Sequence, residues 1–166
     1  MLFIRKWKYD VDHVGFKYNG RAIMAAMALV GLKYLDEDNT RRRQIAALYD
    51  EAFAGISSVE RVPVGPGCVS ARHLYQIMVE RRDGLLEQLN ASGIFPGVHY
   101  RDNTEYGIYA YAAGQCPRAA RASARLITLP IHLELSDADV DRVARVVSEF
   151  EAAPRAASLE SAQAVR

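Results

Sequence analysis

The segment from residue 21 to residue 35 carries large apolar side chains around most of a helical circumference. They recur at helical spacing with alanines between them, at Ile23, Met24, Met27, Val30, Leu32 and Leu35. A helix that is apolar nearly all round is stable in water only when other elements cover several of its sides. The sequence therefore predicts a buried helix here, with a need for large neighbouring surfaces.

Composition limits the classes of protein to consider. The chain has 166 residues, 50% of them hydrophobic and 25% charged, which suits one globular domain with a core. Its 21 Lys and Arg against 20 Asp and Glu leave a net charge of +1, and neither sign forms a long block. This argues against a nucleic-acid or anionic-membrane surface. The N-terminal apolar run is too short for a signal peptide, and no stretch approaches a membrane span, so we expect a cytoplasmic protein.

Helical signals continue after the first helix. Residues 1–19 mix aromatic and charged side chains without a period, which predicts an extended connector. The polar stretch DEDNT at 36–40 predicts a break. Apolar residues then repeat at helical spacing from Ile45 to Phe53, and Gly55 gives a natural stop.

The middle of the chain predicts strands around a short helix. Residues 73–80 alternate like a strand, with Leu74, Ile77 and Val79 apolar. RDGLLEQLNASG predicts a helix that ends at Gly93, and IFPGVHY at 94–100 predicts an interrupted strand. The order strand, helix, strand indicates a small α/β unit.

Two more helices are expected towards the C-terminus. One begins at Pro117 and runs to about Ile127. The other opens with the capping-box sequence SDAD at 136–139, and one apolar face of it comprises Val140, Val143, Val147 and Phe150. Beyond Glu151 the mixture of alanine, serine and charge has little to bury, which predicts a disordered or frayed tail.

Local motifs for catalysis are few. The sequence has no G-x-S-x-G, phosphate loop or HExxH, and Cys68 and Cys116 lack ligand spacing, so we predict reduced thiols and no metal site. Of the histidines at 13, 73, 99 and 132, His99 has the best context. GVHYRDN places an imidazole, a phenol, a guanidinium, a carboxylate and an amide side by side after a strand. Taken alone, such a segment is more often a polar turn than a site.

The order of several segments is more specific than any one motif. GFKYNGRAIMAAMALVGLKYLDEDNTRRRQIAALYDEAF is followed by SARHLYQIMV, LLEQLNASGIFPGVHY and CPRAARASARLITLPIHLELSDADVDRV. Together, from about residue 9 to 149, they resemble the C-terminal part of the DegT/DnrJ/EryC1/StrS aminotransferases. The resemblance implies an α/β fold, the small C-terminal domain of a fold-type-I transferase that uses pyridoxal phosphate. The long helix before it would come from the junction with the large domain.

The resemblance also implies a reaction. Enzymes of this family take an amino group from a donor such as glutamate and deliver it to a keto nucleotide sugar, in amino-sugar biosynthesis for surface polysaccharides or secondary metabolites. The family's lysine that binds pyridoxal phosphate belongs to an earlier motif that this sequence lacks, and Lys6 and Lys8 lie too close to GFKYN to match it. Transamination needs that amine, so we expect no catalytic residue here and no activity or cofactor retention by this chain alone. We expect a homodimer or an N-terminal partner polypeptide.

Site residues follow from matched positions. The family's loop G-aromatic-Asn-Tyr-Arg, whose amide reaches the cofactor phosphate of the neighbouring subunit, corresponds here to residues 15–19, GFKYN. The amide falls two positions late, so Asn19 or Lys17 is the expected phosphate contact, since an amide donor or an ammonium can serve an anion. His99 and Tyr100 match the strand end G-V-H-Y, which faces the active-site mouth in the family, and we expect them to orient the substrate.

Two neighbouring positions receive no functional role. His73 matches the start of an H-L-aromatic strand and is expected to be structural, and Arg72 stands where the family often has tryptophan. The predicted division of the chain is a connector at 1–20, bridging helices at 21–55, a small α/β domain at 56–150 and a tail at 151–166.

Two alternatives stay open. A related branch of the same fold carries out a dehydration, with histidine in place of the lysine, and the part that would distinguish it lies before GFKYN. A stand-alone α/β binding or regulatory module would contain the same elements, but would have no reason to expose the apolar flanks of residues 21–35.

Overall fold

The computed structural model describes residue 15 and residues 20–153, so the predicted connector at 1–19, apart from Gly15, and most of the predicted tail lie outside it. In chain order, the regular elements are α1 Ala22–Gly31, α2 Leu35–Ala52, β1 Glu60–Arg61, β2 Tyr75–Met78, α3 Arg82–Ala91, α4 Pro117–Arg125, β3 Leu126–Leu129 and α5 Asp137–Ala152. Two short 3-10 segments, Asn103–Glu105 and Gly107–Ala112, precede α4.

The three strands form one antiparallel sheet in the order β1-β2-β3. Tyr75 lies opposite Leu129 and Ile77 opposite Ile127, which sets the register of the two longer strands. Helix α5 packs against α2 and α3, and α3 also contacts β3. The result is a small sheet with helices packed beside it, which agrees with the predicted α/β class.

One hydrophobic core joins these elements. Its fully buried side chains come from α2, the sheet, α3 and α5, and they include Ile45, Tyr49, Phe53, Tyr75, Ile77, Leu85, Leu89, Ile127, Leu129 and Val147. Each buried aliphatic side chain of this size contributes about 1.5–3 kcal/mol relative to an exposed one. The C-terminal half of α2 therefore packs into the same core as the sheet, while the predicted domain division at residues 20, 55 and 150 stays a prediction.

The predicted break at DEDNT is wrong, because these residues lie inside α2. Asp36, Glu37 and Asp38 occupy its first turn, where negative charge interacts favourably with the helix dipole. The hydroxyl of Thr40 also donates a 2.7 Å hydrogen bond to the carbonyl of Asp36. The break lies earlier: α1 ends at Gly31, and a turn at 32–34 separates the two helices.

The predicted strand at 73–80 is shorter than expected. β2 covers Tyr75–Met78, and Tyr75, Ile77 and Val79 are the buried positions. Successive side chains of a strand point to opposite faces, so the buried alternation begins at Tyr75, and Leu74, which precedes β2, is not part of it.

The segment 94–100 and the end of α4 also differ from prediction. IFPGVHY forms no regular strand, since Gly97 alone pairs with Thr128 as an isolated bridge and Pro96 has no amide hydrogen to donate. Helix α4 ends at Arg125, and Ile127 lies in β3 rather than in the helix. Apolar residues at a helix–strand junction fit either period, which explains the error.

The helix predicted to be buried at 21–35 is wrong in its burial, because α1 spans Ala22–Gly31 and none of its residues is buried against the described chain. The predicted end of α3 and the predicted start and apolar face of α5 are confirmed. Ser136 caps α5 through a complete capping box with Asp139, and the predicted apolar face is buried at Val140, Val143 and Val147 and half-buried at Phe150. Helix α3 ends just before Gly93, whose φ of +71° suits glycine. No helix among residues 20–153 is long and apolar enough to cross a membrane.

Candidate functional site

The loop that carries His99 is attached to the edge of the sheet at Gly97. The amide of Gly97 donates to the carbonyl of Thr128 at 2.9 Å, and the amide of Thr128 donates to the carbonyl of Gly97 at 2.8 Å. This reciprocal pair extends the sheet by one residue beyond β3. His99 follows two residues later, so its position is tied to the strand.

Three contacts fix the half-buried His99. Its Nδ1 lies 3.0 Å from Oγ1 of Thr128, and its carbonyl accepts a hydrogen bond from the side-chain amide of Gln76 on β2. Its ring also lies against the Cα of Gly97, since a Cβ built on that glycine would come within 2.4 Å of Cε1 of His99. Both the main chain and the imidazole of His99 are therefore held.

Tyr100 is held less tightly than His99. Its side chain is 67% exposed, while its carbonyl accepts a 3.0 Å hydrogen bond from the hydroxyl of Ser123 on α4. The rings of His99 and Tyr100 meet edge to face with centroids 5.1 Å apart. An exposed phenol beside a fixed imidazole offers two polar groups of different reach to a ligand.

The charged groups that follow Tyr100 interact within their own loop. Arg101 forms an ion pair with Glu105 at 2.7 Å, and its guanidinium lies 5.0 Å from the ring centroid of Tyr106. The nearly buried carboxylate of Asp102 accepts hydrogen bonds from the amide and the hydroxyl of Thr104. These contacts give Arg101 and Asp102 a structural role, so His99 and Tyr100 remain the candidates for contact with a ligand.

His99 and Tyr100 line different clefts. His99 shares a cleft of about 330 Å³ with His73, Phe95 and Thr128. Tyr100 lines a second one of about 510 Å³, together with Arg101, Thr104, Cys116 and Ser123. The structure thus brings the two residues side by side without placing both in one pocket. It also places His73, expected to be structural, in the His99 cleft, and its role stays a prediction.

The two positions expected to hold the cofactor phosphate, Lys17 and Asn19, lie outside the described residues. Sequence reasoning did not single out Thr128 or Gln76, which hold His99. Thr128 lies in the apolar stretch LITLP, where no local motif marks it. Within residues 20–153, no group of three or more His, Cys, Asp or Glu side chains could hold a metal ion.

Helix α1 presents an extensive exposed apolar surface. None of its residues is buried, and the exposed fraction is 74% for Ile23 and 64% for Met27. The apolar side chains that we call the α1 surface are Ile23, Met24, Met27, Leu29, Val30 and Leu32. Contiguous exposed surface of this kind marks an interaction site in a soluble protein.

Comparison with known proteins gives a consistent result. A sequence profile of the DegT/DnrJ/EryC1/StrS aminotransferase family matches residues 4–148. The structure resembles DesV of S. venezuelae, solved in complex with a ketimine intermediate, with a TM-score of 0.74 and 30% identity over 78% of this chain and 36% of that one. A Streptococcus pneumoniae protein assigned as a sugar aminotransferase, in its PLP form, matches with a TM-score of 0.72 and 32% identity over 89% of this chain and 40% of its own.

A DegT DnrJ EryC1 StrS aminotransferase from Brucella abortus is equally similar, with a TM-score of 0.72 and 32% identity over 91% of this chain and 42% of that one. The chain therefore spans 36% to 42% of the length of these three solved structures.

Pyridoxal phosphate is the cofactor of these aminotransferases. The described residues do not form a site for it by themselves. Covalent attachment needs a lysine amine in an enclosed pocket. Lys33 is the one lysine among residues 20–153, and it is exposed in the turn between α1 and α2. The part of the chain that the structure describes thus has no arrangement that fits the cofactor.

Proposed function

The chain belongs to the DegT/DnrJ/EryC1/StrS aminotransferase family, and we propose that it is the small-domain part of a sugar aminotransferase that delivers an amino group to a keto nucleotide sugar. The observation that carries this proposal is the extent of the match, which covers residues 4–148 and so includes both α1 and the loop of His99. Glutamate is the proposed amino donor, and amino-sugar biosynthesis in the cytoplasm is the proposed setting.

In this proposal the chain supplies one wall of the site. His99 and Tyr100 contact and orient the sugar nucleotide, while Lys17 or Asn19 contacts the cofactor phosphate of a neighbouring subunit. The fixed geometry of His99, held through Thr128, Gln76 and Gly97, supports a role in orientation, because a preorganised side chain loses little freedom on binding. No chemical step is assigned to these residues.

The α1 surface supports the proposal that the chain works with further protein. We propose that it is covered by the large domain of the complete enzyme, on an N-terminal partner polypeptide or on a second subunit of a homodimer. A stand-alone binding module would be expected to cover the apolar side chains of residues 21–35. In the structure, Ile23, Met27 and Leu29 each have more than half of their surface exposed. This observation favours the aminotransferase over the module.

One experiment tests the proposal in two parts. The purified 166-residue chain is mixed with pyridoxal phosphate, glutamate and a keto nucleotide sugar. The 2-oxoglutarate formed is measured, and so is the pyridoxal phosphate that borohydride reduction attaches to each lysine. We expect no 2-oxoglutarate and only sparse labelling spread over several lysines. Turnover, or stoichiometric labelling of one lysine, contradicts the proposal that the chain is inactive alone.

The second part uses the complete enzyme that contains this chain. His99→Ala should reduce the half-reaction with the keto nucleotide sugar more than the half-reaction with glutamate, because only the first uses the proposed sugar contact. Equal losses in both half-reactions indicate general damage and remove His99 from substrate orientation. If the complete enzyme instead eliminates water from the sugar and transfers no amino group, the dehydratase alternative replaces the aminotransferase.

A further inference from the structure

Thr128 is a polar residue buried in an apolar strand. It lies in β3, where only 5% of its surface is exposed, and its neighbours Ile127 and Leu129 belong to the core. A buried hydroxyl is retained in such a place at a cost in free energy unless it forms hydrogen bonds. The side chain of Thr128 therefore requires a partner.

That partner is the imidazole of His99. Oγ1 of Thr128 lies 3.0 Å from Nδ1 of His99, and within the part of the chain that the structure describes this is the one hydrogen bond that the hydroxyl makes. A threonine hydroxyl has one hydrogen to donate and lone pairs to accept with. If Nδ1 carried the proton, the hydroxyl would accept the hydrogen bond from Nδ1–H, and its own hydrogen would have no acceptor among the described residues. The better arrangement has Thr128 donate to an unprotonated Nδ1.

The neutral imidazole then carries its proton on Nε2, since the hydrogen bond made by one ring nitrogen determines the tautomer at the other. None of the described residues forms a hydrogen bond with Nε2 of His99. The ring is held in place by Gly97 beneath it and by the hydrogen bond from Gln76 to its carbonyl. His99 thus keeps one nitrogen engaged with the fold and has the other available to a ligand.

We infer that Thr128 is a positioning residue that fixes His99 in the tautomer with an Nε2–H donor. Such a donor suits a hydrogen-bond acceptor, such as the carbonyl or a phosphate oxygen of a keto nucleotide sugar, and discriminates against a ligand group that can only donate. The ligand part of this inference rests on the proposed function. The tautomer part rests on the geometry of Thr128 and His99 alone.

The tautomer is measured by 15N NMR of the histidine-labelled 166-residue chain at a pH where the imidazole is neutral. His99→Gln identifies the signals of His99, and magic-angle-spinning spectra of sedimented protein give the same shifts if the chain self-associates. We expect the Nε2–H form to predominate in the unaltered chain. A predominant Nδ1–H form overturns the inference without the need for any variant.

Two substitutions separate the hydroxyl from the volume of the side chain. Thr128→Val keeps the shape and removes the hydroxyl, and it should lower the ratio of Nε2–H to Nδ1–H forms of His99 several-fold. Thr128→Ser keeps the hydroxyl and should restore the ratio. An unchanged ratio in a folded Thr128→Val chain contradicts the assigned role.

Kinetics of the complete enzyme test the ligand part separately. Thr128→Val should raise KM for the keto nucleotide sugar several-fold with little change in the half-reaction with glutamate, and Thr128→Ser should recover the lower KM. If the tautomer responds as expected but neither half-reaction changes, the positioning by Thr128 stands and the proposed substrate contact of His99 fails.

Discussion

The phenol of Tyr75 donates a 2.8 Å hydrogen bond to Oδ1 of Asp50 and so connects the central strand β2 to helix α2. The same carboxylate forms longer ion pairs with Arg61 and Arg72, each at 3.7 Å. Arg72 has a φ of +51°, uncommon for a residue with a side chain. Its charge faces Asp50, which gives this residue a structural contact at a position where the sequence indicated no role.

Removing the Tyr75 hydroxyl should destabilise the fold. Tyr75→Phe leaves Asp50 without its shortest hydrogen bond, and bonds to charged groups contribute about 1.5–3 kcal/mol. Since Asp50 is partly exposed, we expect a loss near the lower end, about 1.5 kcal/mol. Tyr49→Phe is the matched control, because it removes a neutral 3.0 Å bond to the carbonyl of Pro130. In urea unfolding, Tyr75→Phe should therefore lose more unfolding free energy than Tyr49→Phe. A larger loss for Tyr49→Phe would contradict this prediction.

Stability should also fall at alkaline pH. Burial raises the pKa of Tyr75 well above its usual value, with a further increase from the Asp50 hydrogen bond, and burial likewise raises the pKa of Tyr49. Above about pH 10 the unfolded chain therefore loses phenolic protons that the folded chain keeps. The stability that these two protonated phenols contribute is fully present below about pH 10 and is lost as the pH rises further.

The measurement is the free energy of unfolding from about pH 8 to about pH 11. The double variant with Tyr49→Phe and Tyr75→Phe should show a shallower decline than the unaltered chain. Identical slopes would mean that neither phenol is responsible.

Elements set by local sequence were predicted well. The capping box of Ser136 and Asp139 and the apolar face of α5 are properties of adjacent turns, so the sequence contains all the information needed. The break at 36–40 was misplaced because acidic residues favour both loops and first helical turns. In the structure α1 ends at Gly31 and α2 begins at Leu35, so the break precedes the acidic residues.

The candidate site depends on residues that are distant in sequence. His99 was identified through its matched motif, whereas Thr128 lies 29 positions away and reaches it only through the backbone bridge at Gly97. Gln76 comes from yet another strand. The antiparallel register of the strands brings these residues together. Neither the hydrophobic period nor a motif within one strand specifies how that strand is paired with another.

Gly97→Ala should displace the ring of His99. A Cβ at this position would come within 2.4 Å of Cε1 and 3.0 Å of Nδ1, so the imidazole must move and its bond to Thr128 should break. We expect the 15N shifts of His99 to change while the chain remains folded, because a side chain relaxes more easily than a strand. Gly55→Ala is the control, since a methyl group added there would have no neighbouring atom within 4 Å. Unchanged His99 shifts in Gly97→Ala would contradict the geometry.

The loop at 15–19 can be tested only in the complete enzyme. If Lys17 or Asn19 contacts the phosphate of the cofactor, Lys17→Ala or Asn19→Ala should weaken cofactor retention. Loss of a charge-assisted hydrogen bond of about 1.5–3 kcal/mol corresponds to a decrease in affinity of about 10- to 100-fold. Equilibrium dialysis of pyridoxal phosphate measures this directly. Unaltered affinity in both variants removes the loop from the cofactor site.

The last prediction concerns the α1 surface. A ten-residue helix without tertiary contacts is marginal in water, and α1 buries none of its side chains against the rest of the described chain. An uncovered helix of this kind either contacts other protein or frays. We expect contact to dominate in the isolated chain at high concentration, because large exposed apolar surfaces drive association.

Light scattering and hydrogen exchange across a concentration series test this expectation. The average mass should rise with concentration, and amide protection at residues 22–31 should rise with it, while β2 stays protected throughout. Met27→Lys with Val30→Lys should suppress both changes by placing charge in the α1 surface. The pair Ala120→Lys and Ala138→Lys adds the same charge at exposed positions of α4 and α5 and should leave association unchanged. A stable monomer in which α1 is protected as strongly as β2 would contradict the proposed interface and favour a self-sufficient binding module.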